Sequence, residues 1–188
     1  YMNKWKAKLR RLGETQDWST SPLGLPSTWP KSAWTVAKLV LDSKIPMFIA
    51  WGKEMGFIYN QSYAELIGSK HPSAFGNRLK DVWSEVWPEV APLIERTLAG
   101  EGVYREDLPL SILRNDRLET VYFTFSYSPL YDENEQVFGI HCAVMETTSR
   151  VVAARRQSVY HRLTSSLREL SSPLEIMDAA SKLIGEHF

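Results

Sequence analysis

From Lys4 to Leu12 the apolar residues recur at helical spacing. Trp5, Leu9 and Leu12 share one face, and Gly13 supplies the stop. The next stretch, DWSTSPLGLPSTWP, loses all periodicity. Pro22, Gly24, Pro26 and Pro30 make it a loop, with Trp18 and Trp29 as packing anchors. KSAWTVAKLVLDS returns to three- and four-residue steps through Trp34, Ala37 and Leu41, and Pro46 closes it. MFIAWGKEMGFIYN then reads as two short strands around a turn at Gly52 to Glu54. Asn60 is placed to cap a helix over QSYAELI, and Gly68 to end it. From Lys70 to Gly100 a helical pattern is broken by Pro72, Gly76, Pro88 and Pro92. Its best helix is PEVAPLIERTLAG, with Val90, Leu93, Ile94 and Leu98 on one face. VYREDLPLSIL predicts a third strand, in which Pro109 calls for a sheet edge or a bulge. ETVYFTFSYSP and QVFGIHCAVMETT are the fourth and fifth, joined by the turn YDENEQ.

Two strands, several short helices and three strands imply an α+β domain with an antiparallel sheet. The inserted helices must cover one of its faces. Alternation puts Phe123, Phe125 and Tyr127 on that face, with Tyr122, Thr124, Ser126 and Ser128 on the other. In the fifth strand Ile140, Cys142 and Val144 point inward, and His141, Ala143 and Met145 outward. Trp83 and Trp87 lie four apart and share a face if one helix runs through both. The expected pocket between helices and sheet is lined by Trp83, Trp87, Phe123, Phe125, Tyr127, Cys142 and Val144. Asn60 is a further polar candidate whose simpler role is the cap.

Composition narrows the function. Lys plus Arg equals Asp plus Glu at 22 each, so a nucleic-acid footprint would have to be local. Only Lys4 to Arg11 is locally basic, and a solvated helix face accounts for it. One cysteine excludes an intrachain disulfide and a multi-cysteine zinc site. No apolar run approaches the roughly 20 residues of a membrane span, and the expectation is a soluble, cytoplasmic chain. Glu106 and Asp107 are adjacent on a strand and face opposite ways, so they are no acid–base pair. No nucleophile with its base, no phosphate cradle and no other catalytic motif stands out, and the expectation is a non-enzyme.

The pattern resembles a PAS domain, the sensory module of bacterial signalling proteins. MFIAWG with FIYNQSYAELIG, HPSAFGNRLKDVWSEVWPEV, FTFSYSPLYDENEQVFGI and the closing METT carry the resemblance, over about Met47 to Thr148. It implies a five-stranded antiparallel sheet in the order 2-1-5-4-3 with helices on one face. It also implies that Glu146, Thr147 and Thr148 form the exit into a signalling helix, where related domains carry Asp and Thr; Glu146 here keeps the charge and adds a methylene. The stretch from Trp18 to Trp34 resembles the lead-in of PAS domains in sensor kinases. The closing LRELSSPLEIMDAASKLIGEHF resembles the first helix of a GAF domain, and Ser172-Pro173-Leu174-Glu175 is a capping box that would start it. The expected divisions are 1–45, an N-terminal helical extension; 46–148, the PAS domain; 149–171, a signalling helix; and 172–188, the start of a truncated GAF-like domain.

Cofactor and partner expectations follow. Light-sensing relatives form a flavin adduct through a helical Asn-Cys-Arg cysteine, which is missing here, while Cys142 lies on a strand. Haem needs an axial ligand, and His71, His141, His161 and His187 are each poorly placed for one. Neither flavin nor haem is therefore expected, and the ligand is unknown. Val152, Val159, Leu163, Leu167 and Leu170 recur nearly as a coiled-coil seam, interrupted by Arg156. They predict a parallel homodimer through this helix and the N-terminal helices; a monomer whose stripe packs on its own sheet is the alternative. His161-Arg162 is not a phosphoacceptor box, and no ATP-binding motif is present. The expected function is a sensory and dimerisation module, with a downstream GAF or kinase module in the same chain, in a sensor histidine kinase. A stand-alone small-molecule-binding protein or small enzyme on the same fold is the alternative.

Overall fold

A computed structural model describes residues 2–13, 16–114 and 117–168, except the side chains of 2–6, 163 and 166–168. Residues up to Glu146 form one compact unit, and Thr147 begins a second.

Five strands form the sheet: β1 (Met47–Trp51), β2 (Gly56–Tyr59), β3 (Val103–Arg114), β4 (Arg117–Tyr131) and β5 (Val137–Glu146). Their spatial order is β2-β1-β5-β4-β3, antiparallel throughout, as the resemblance implied. The one non-local pairing, β1 with β5, sets Phe48 opposite Cys142 and Ala50 opposite Ile140. Gly139 permits it, because a Cβ there would lie 2.4 Å from the Ala50 carbonyl oxygen. Strand β3 is an edge strand and slips register between Arg105 and Leu108. Glu106 and Asp107 together stand against the single residue Thr124, one residue more than the partner strand supplies. Asp107 takes a positive φ of 50° and its N–H donates to Thr124 Oγ1 at 3.1 Å. Pro109 thus sits just past a bulge on an edge strand, a position where proline is tolerated.

The segment between β2 and β3 holds α3 (Gln61–Ile67), α4 (Leu79–Val82) and α5 (Trp87–Leu98), and it covers the inner sheet face. Two sequence expectations change here. Trp83 and Trp87 do not share a helical face: Trp83 leaves helical geometry (φ −113°, ψ 33°), and a 3₁₀ turn at Ser84–Val86 precedes α5. Trp83 is buried and Trp87 is half-buried. On α5, Val90, Leu93 and Ile94 are buried as expected, but Thr97 takes the fourth inward position while Leu98 is exposed. Thr97 tolerates burial because its hydroxyl donates to the Leu93 carbonyl at 2.9 Å.

Helices α1 (Met2–Leu12) and α2 (Lys31–Asp42) lie on the β1–β2 end of the molecule. Lys8 Nζ ties them by donating to the Leu41 carbonyl and pairing with Asp42. Ala33, Ala37, Val40 and Leu41 are the buried side of α2. The connecting loop is pinned by indoles. Trp29 Nε1 donates to the Leu23 carbonyl (3.0 Å), and its ring meets Trp18, Trp34 and Trp51 at 5.0–5.3 Å. The loop presses so closely on β2 that a Cβ at Gly56 would meet Leu23 at 2.7 Å.

The second unit contributes α6 (Thr148–Arg168) to the described residues. The fifth strand therefore stops at Glu146, two residues short of the expected Thr148, because Thr148 already opens the helix.

Candidate functional site

Strand alternation and the wall of short helices leave a cavity of about 50 Å³ on the inner face. Of the expected lining residues, Trp83, Phe123, Phe125, Tyr127, Cys142 and Val144 all border it. Phe48, Tyr63 and Leu110 add to its sheet and α3 sides, and Val90 and Ile94 close it from α5. Trp87 and Asn60 do not border it. Trp87 is turned away by the break after α4. Asn60 is a clamp: its Oδ1 accepts from Tyr63 N (2.9 Å) and Met47 N (3.2 Å), and its Nδ2 donates to the Ser43 and Ile45 carbonyls. Every side-chain valence of this fully buried amide is used on backbone, so none is left for a ligand.

Among the described residues no charged side chain lines the cavity; its polar groups are two phenols, an indole and a thiol. Trp83 Nε1 donates to Tyr63 Oη at 3.1 Å, so the tyrosine oxygen is engaged as an acceptor. Tyr127 pairs with Cys142 across the β4–β5 ladder, and its hydroxyl has no hydrogen-bond partner among the described residues. Burial pushes both phenols well above 10, with repulsion from Cys142 adding to it, and burial pushes the Cys142 thiol up likewise. All three are neutral in the folded domain. Sequence reasoning missed Tyr63. Its signal was the capped helix: a residue three past the Asn60 cap sits in the first turn, facing the sheet.

Outside the wall, Lys70 bolts the helices together. Its Nζ pairs with Glu85 at 2.7 Å, donates to the Val82 carbonyl and lies 5.0 Å from the Trp83 ring centre. Burial pushes the Glu85 carboxyl up, but the Lys70 ammonium with neighbouring N–H groups outweighs it and holds it below its ordinary value.

At the exit, Glu146 pairs with Arg114 at 3.0 Å, and the same guanidinium nitrogen donates to the Leu66 carbonyl on α3. Thr147 is buried and Thr148 half-buried. On α6, Val152 is exposed and Val159 half-buried; Leu163 and Leu167 lie in the helix without described side chains, and Leu170 lies outside the described residues. The GAF-like stretch 172–188 also lies outside them.

On the outer face the N-terminal segment covers one end of the sheet and leaves the other open. Ile49, Ile58 and Trp51 are sealed beneath it, whereas Met145 and Tyr104 are each 58% exposed. Coverage follows from the loop anchors, which centre on Trp51 at the β1 end and not on Tyr122 or Met145. His141 lies at the boundary, half-buried, with its Nε2 buried and without a partner. His71 instead packs beside Tyr59, whose hydroxyl lies 3.1 Å from its Nδ1.

The described residues contain no group of three or more His, Cys, Asp or Glu side chains able to hold a metal ion. Nor is any described helix long and apolar enough to cross a membrane.

A family model described as the PAS fold matches residues 41–152, more than half of the chain, so the chain belongs to the PAS family of sensory modules. No curated protein matches it. Among solved structures it is similar to the RsLOV d2 variant, with 13% identity and a TM-score of 0.51 over 81% of this chain and 90% of that one. It is also similar to an RNA-binding light-oxygen-voltage receptor, with 18% identity and a TM-score of 0.49 over 76% of this chain. It spans only 43% of that receptor. A light-oxygen-voltage domain studied with a flavin analogue matches with 13% identity and a TM-score of 0.47, over 68% of this chain and 96% of that one. At these identities the likeness is one of fold.

The likeness to the RsLOV d2 variant corrects the expectation against flavin: the fold is shared with a light-oxygen-voltage protein. A missing helical cysteine bears on adduct formation, not on whether the fold can hold the ring. The cavity as folded here, about 50 Å³, is smaller than a flavin ring system.

Proposed function

We propose that this PAS-family module binds a small neutral molecule in the cavity between its sheet and helices. The observation that carries the reading is the cavity itself: apolar, free of charged side chains, and bordered by inward residues of β1, β3, β4 and β5 together with α3 and α5. In the fuller form of the proposal, residues 46–148 are the sensing domain and 1–45 an extension that braces it. Residues 149–171 are then a signalling helix, in a longer protein of the sensor histidine kinase type with a GAF or kinase module downstream. Support for a relay comes from Arg114, which joins the end of β5 to the end of α3, one of the helices that border the cavity. A guest that shifted α3 would bias that contact, and the bias would reach α6 as a change in population. Exposed Val152 and Tyr160 on α6 support a parallel homodimer through the exit helices. The second reading is a binding protein in its own right, without relay or kinase. It asks less, since it needs only the cavity.

Xenon is a fitting first guest for a neutral void of this size. Under xenon pressure the amide resonances of Cys142 and Val144 should shift saturably, and Val144→Phe should abolish the shift. No saturable shift would sink the ligand-site reading. Movement of α6 resonances together with those of Cys142 supports the relay; binding that leaves α6 unmoved supports the second reading. Light scattering tests the dimer: Leu163→Asp with Leu167→Asp should halve the mass, and a wild-type mass of one chain at high concentration would remove it.

A further inference from the structure

The cavity has a chemical preference of its own. Tyr127 is 6% exposed and lines the void, and its hydroxyl has no hydrogen-bond partner among the described residues. A hydroxyl on an apolar cavity wall with no protein partner is open to a group that enters from outside. Tyr63, also on the lining, already accepts the Trp83 indole N–H, which leaves its own O–H to give. Tyr63, Tyr127 and Cys142 line the same cavity, and Tyr127 stands opposite Cys142 across the β4–β5 ladder. What the site offers a guest is therefore phenolic O–H donors in an apolar wall. Among the described residues no ammonium or guanidinium borders the cavity to pair a carboxylate, and no carboxylate borders it to pair an amine. The volume, about 50 Å³, holds more than one water but less than the roughly 150 Å³ known to admit benzene.

We infer that the cavity selects a small uncharged carbonyl compound, a ketone or aldehyde of a few heavy atoms. The Tyr127 hydroxyl donates to its oxygen, with the Tyr63 hydroxyl as the second donor, and its apolar body lies against Phe48, Leu110 and Cys142. This rests on the reading of the cavity as a ligand site. No covalent step is involved: both phenols keep their protons and act only as donors.

The test compares two guests of one shape, acetone and isobutene, which differ in C=O against C=CH₂. Each is titrated into the full chain and into Tyr127→Phe, followed by amide and methyl shifts around the cavity. Tyr127→Phe removes one oxygen and should fold. Acetone should bind about fivefold more weakly to it, the effect of one hydrogen bond. Isobutene should bind as well or better. Tyr63→Phe should weaken acetone relative to isobutene in the same sense; because it also orphans the Trp83 indole N–H, only the ratio of the two guests is read. Equal loss of both guests, or of neither, in Tyr127→Phe would overturn the carbonyl preference. Failure of acetone to bind while xenon binds would overturn it too and leave the ligand site standing. If xenon does not bind either, both fall together.

Discussion

The two faces of one sheet are finished differently. On the inner face, residues inserted between β2 and β3 close over β1, β3, β4 and β5, and Phe123, Phe125, Ile140 and Cys142 are each at most 4% exposed. On the outer face, a segment preceding the first strand covers β1 and β2 and stops at His141, leaving Tyr104, Leu118 and Met145 in solvent. Inner cover is threaded through the sheet's own connections, so it cannot leave without unfolding. Outer cover hangs on the Trp29 cluster and the Lys8–Asp42 tie, near one end. The inner face can therefore enclose a void, while the outer face keeps an apolar border for other contacts.

The sharpest way to break this contrast is to truncate each side of β4 in turn. Phe125→Ala should cost about 3–5 kcal/mol, the transfer and cavity terms together. Thr124→Ala, on the outer side, should cost below about 1 kcal/mol, chiefly the loss of its bond to Asp107. Urea unfolding measures both, and equal midpoints would mean that the two faces are not energetically distinct.

Asn60→Ala comes next. It deletes a helix cap and strands the backbone groups of Ser43, Ile45 and Met47, at a cost of about 2–4 kcal/mol. Xenon affinity should stay unchanged, because Asn60 lies outside the cavity; a matching loss of affinity would place it in the site after all.

A pH titration reads the outer boundary. Burial lowers the His141 pKa from its ordinary 6.5. Between the folded and unfolded values the unfolded chain binds more protons, so this group's contribution is complete above 6.5. It is lost as the pH falls from 6.5 toward the folded value, and levels off below it. His141→Gln should flatten that limb of the stability–pH curve. A curve of unchanged slope would show that another group controls it.

The smallest effect belongs to the exit. The Arg114–Glu146 pair is partly exposed, so Arg114→Ala should cost below about 1 kcal/mol in stability. Its consequence should appear instead as a weaker response of α6 resonances to xenon. A response as strong as wild type would remove Arg114 from the relay.

Which residues face inward on β4 and β5 was legible from alternation alone, since a period of two admits only two faces and Phe123, Phe125 and Tyr127 share one. The Asn60 cap, the Pro109 edge and the YDENEQ turn were legible for a similar reason: each rests on a local backbone demand. The sequence by itself could not place Trp87, because a 3₁₀ turn and an α-turn differ by tens of degrees that spacing does not encode. It could not choose Thr97 over Leu98, since the crossing angle of α5 decides which neighbour points in. It said nothing of Tyr63 meeting Trp83 and sharing a cavity with Tyr127, three residues far apart in the chain. Local chemistry determined the elements and their faces. Only the non-local pairing of β1 with β5 and the closure of the helices over it decided which side chains enclose a void, because such a void is bounded by distant segments meeting at van der Waals distance.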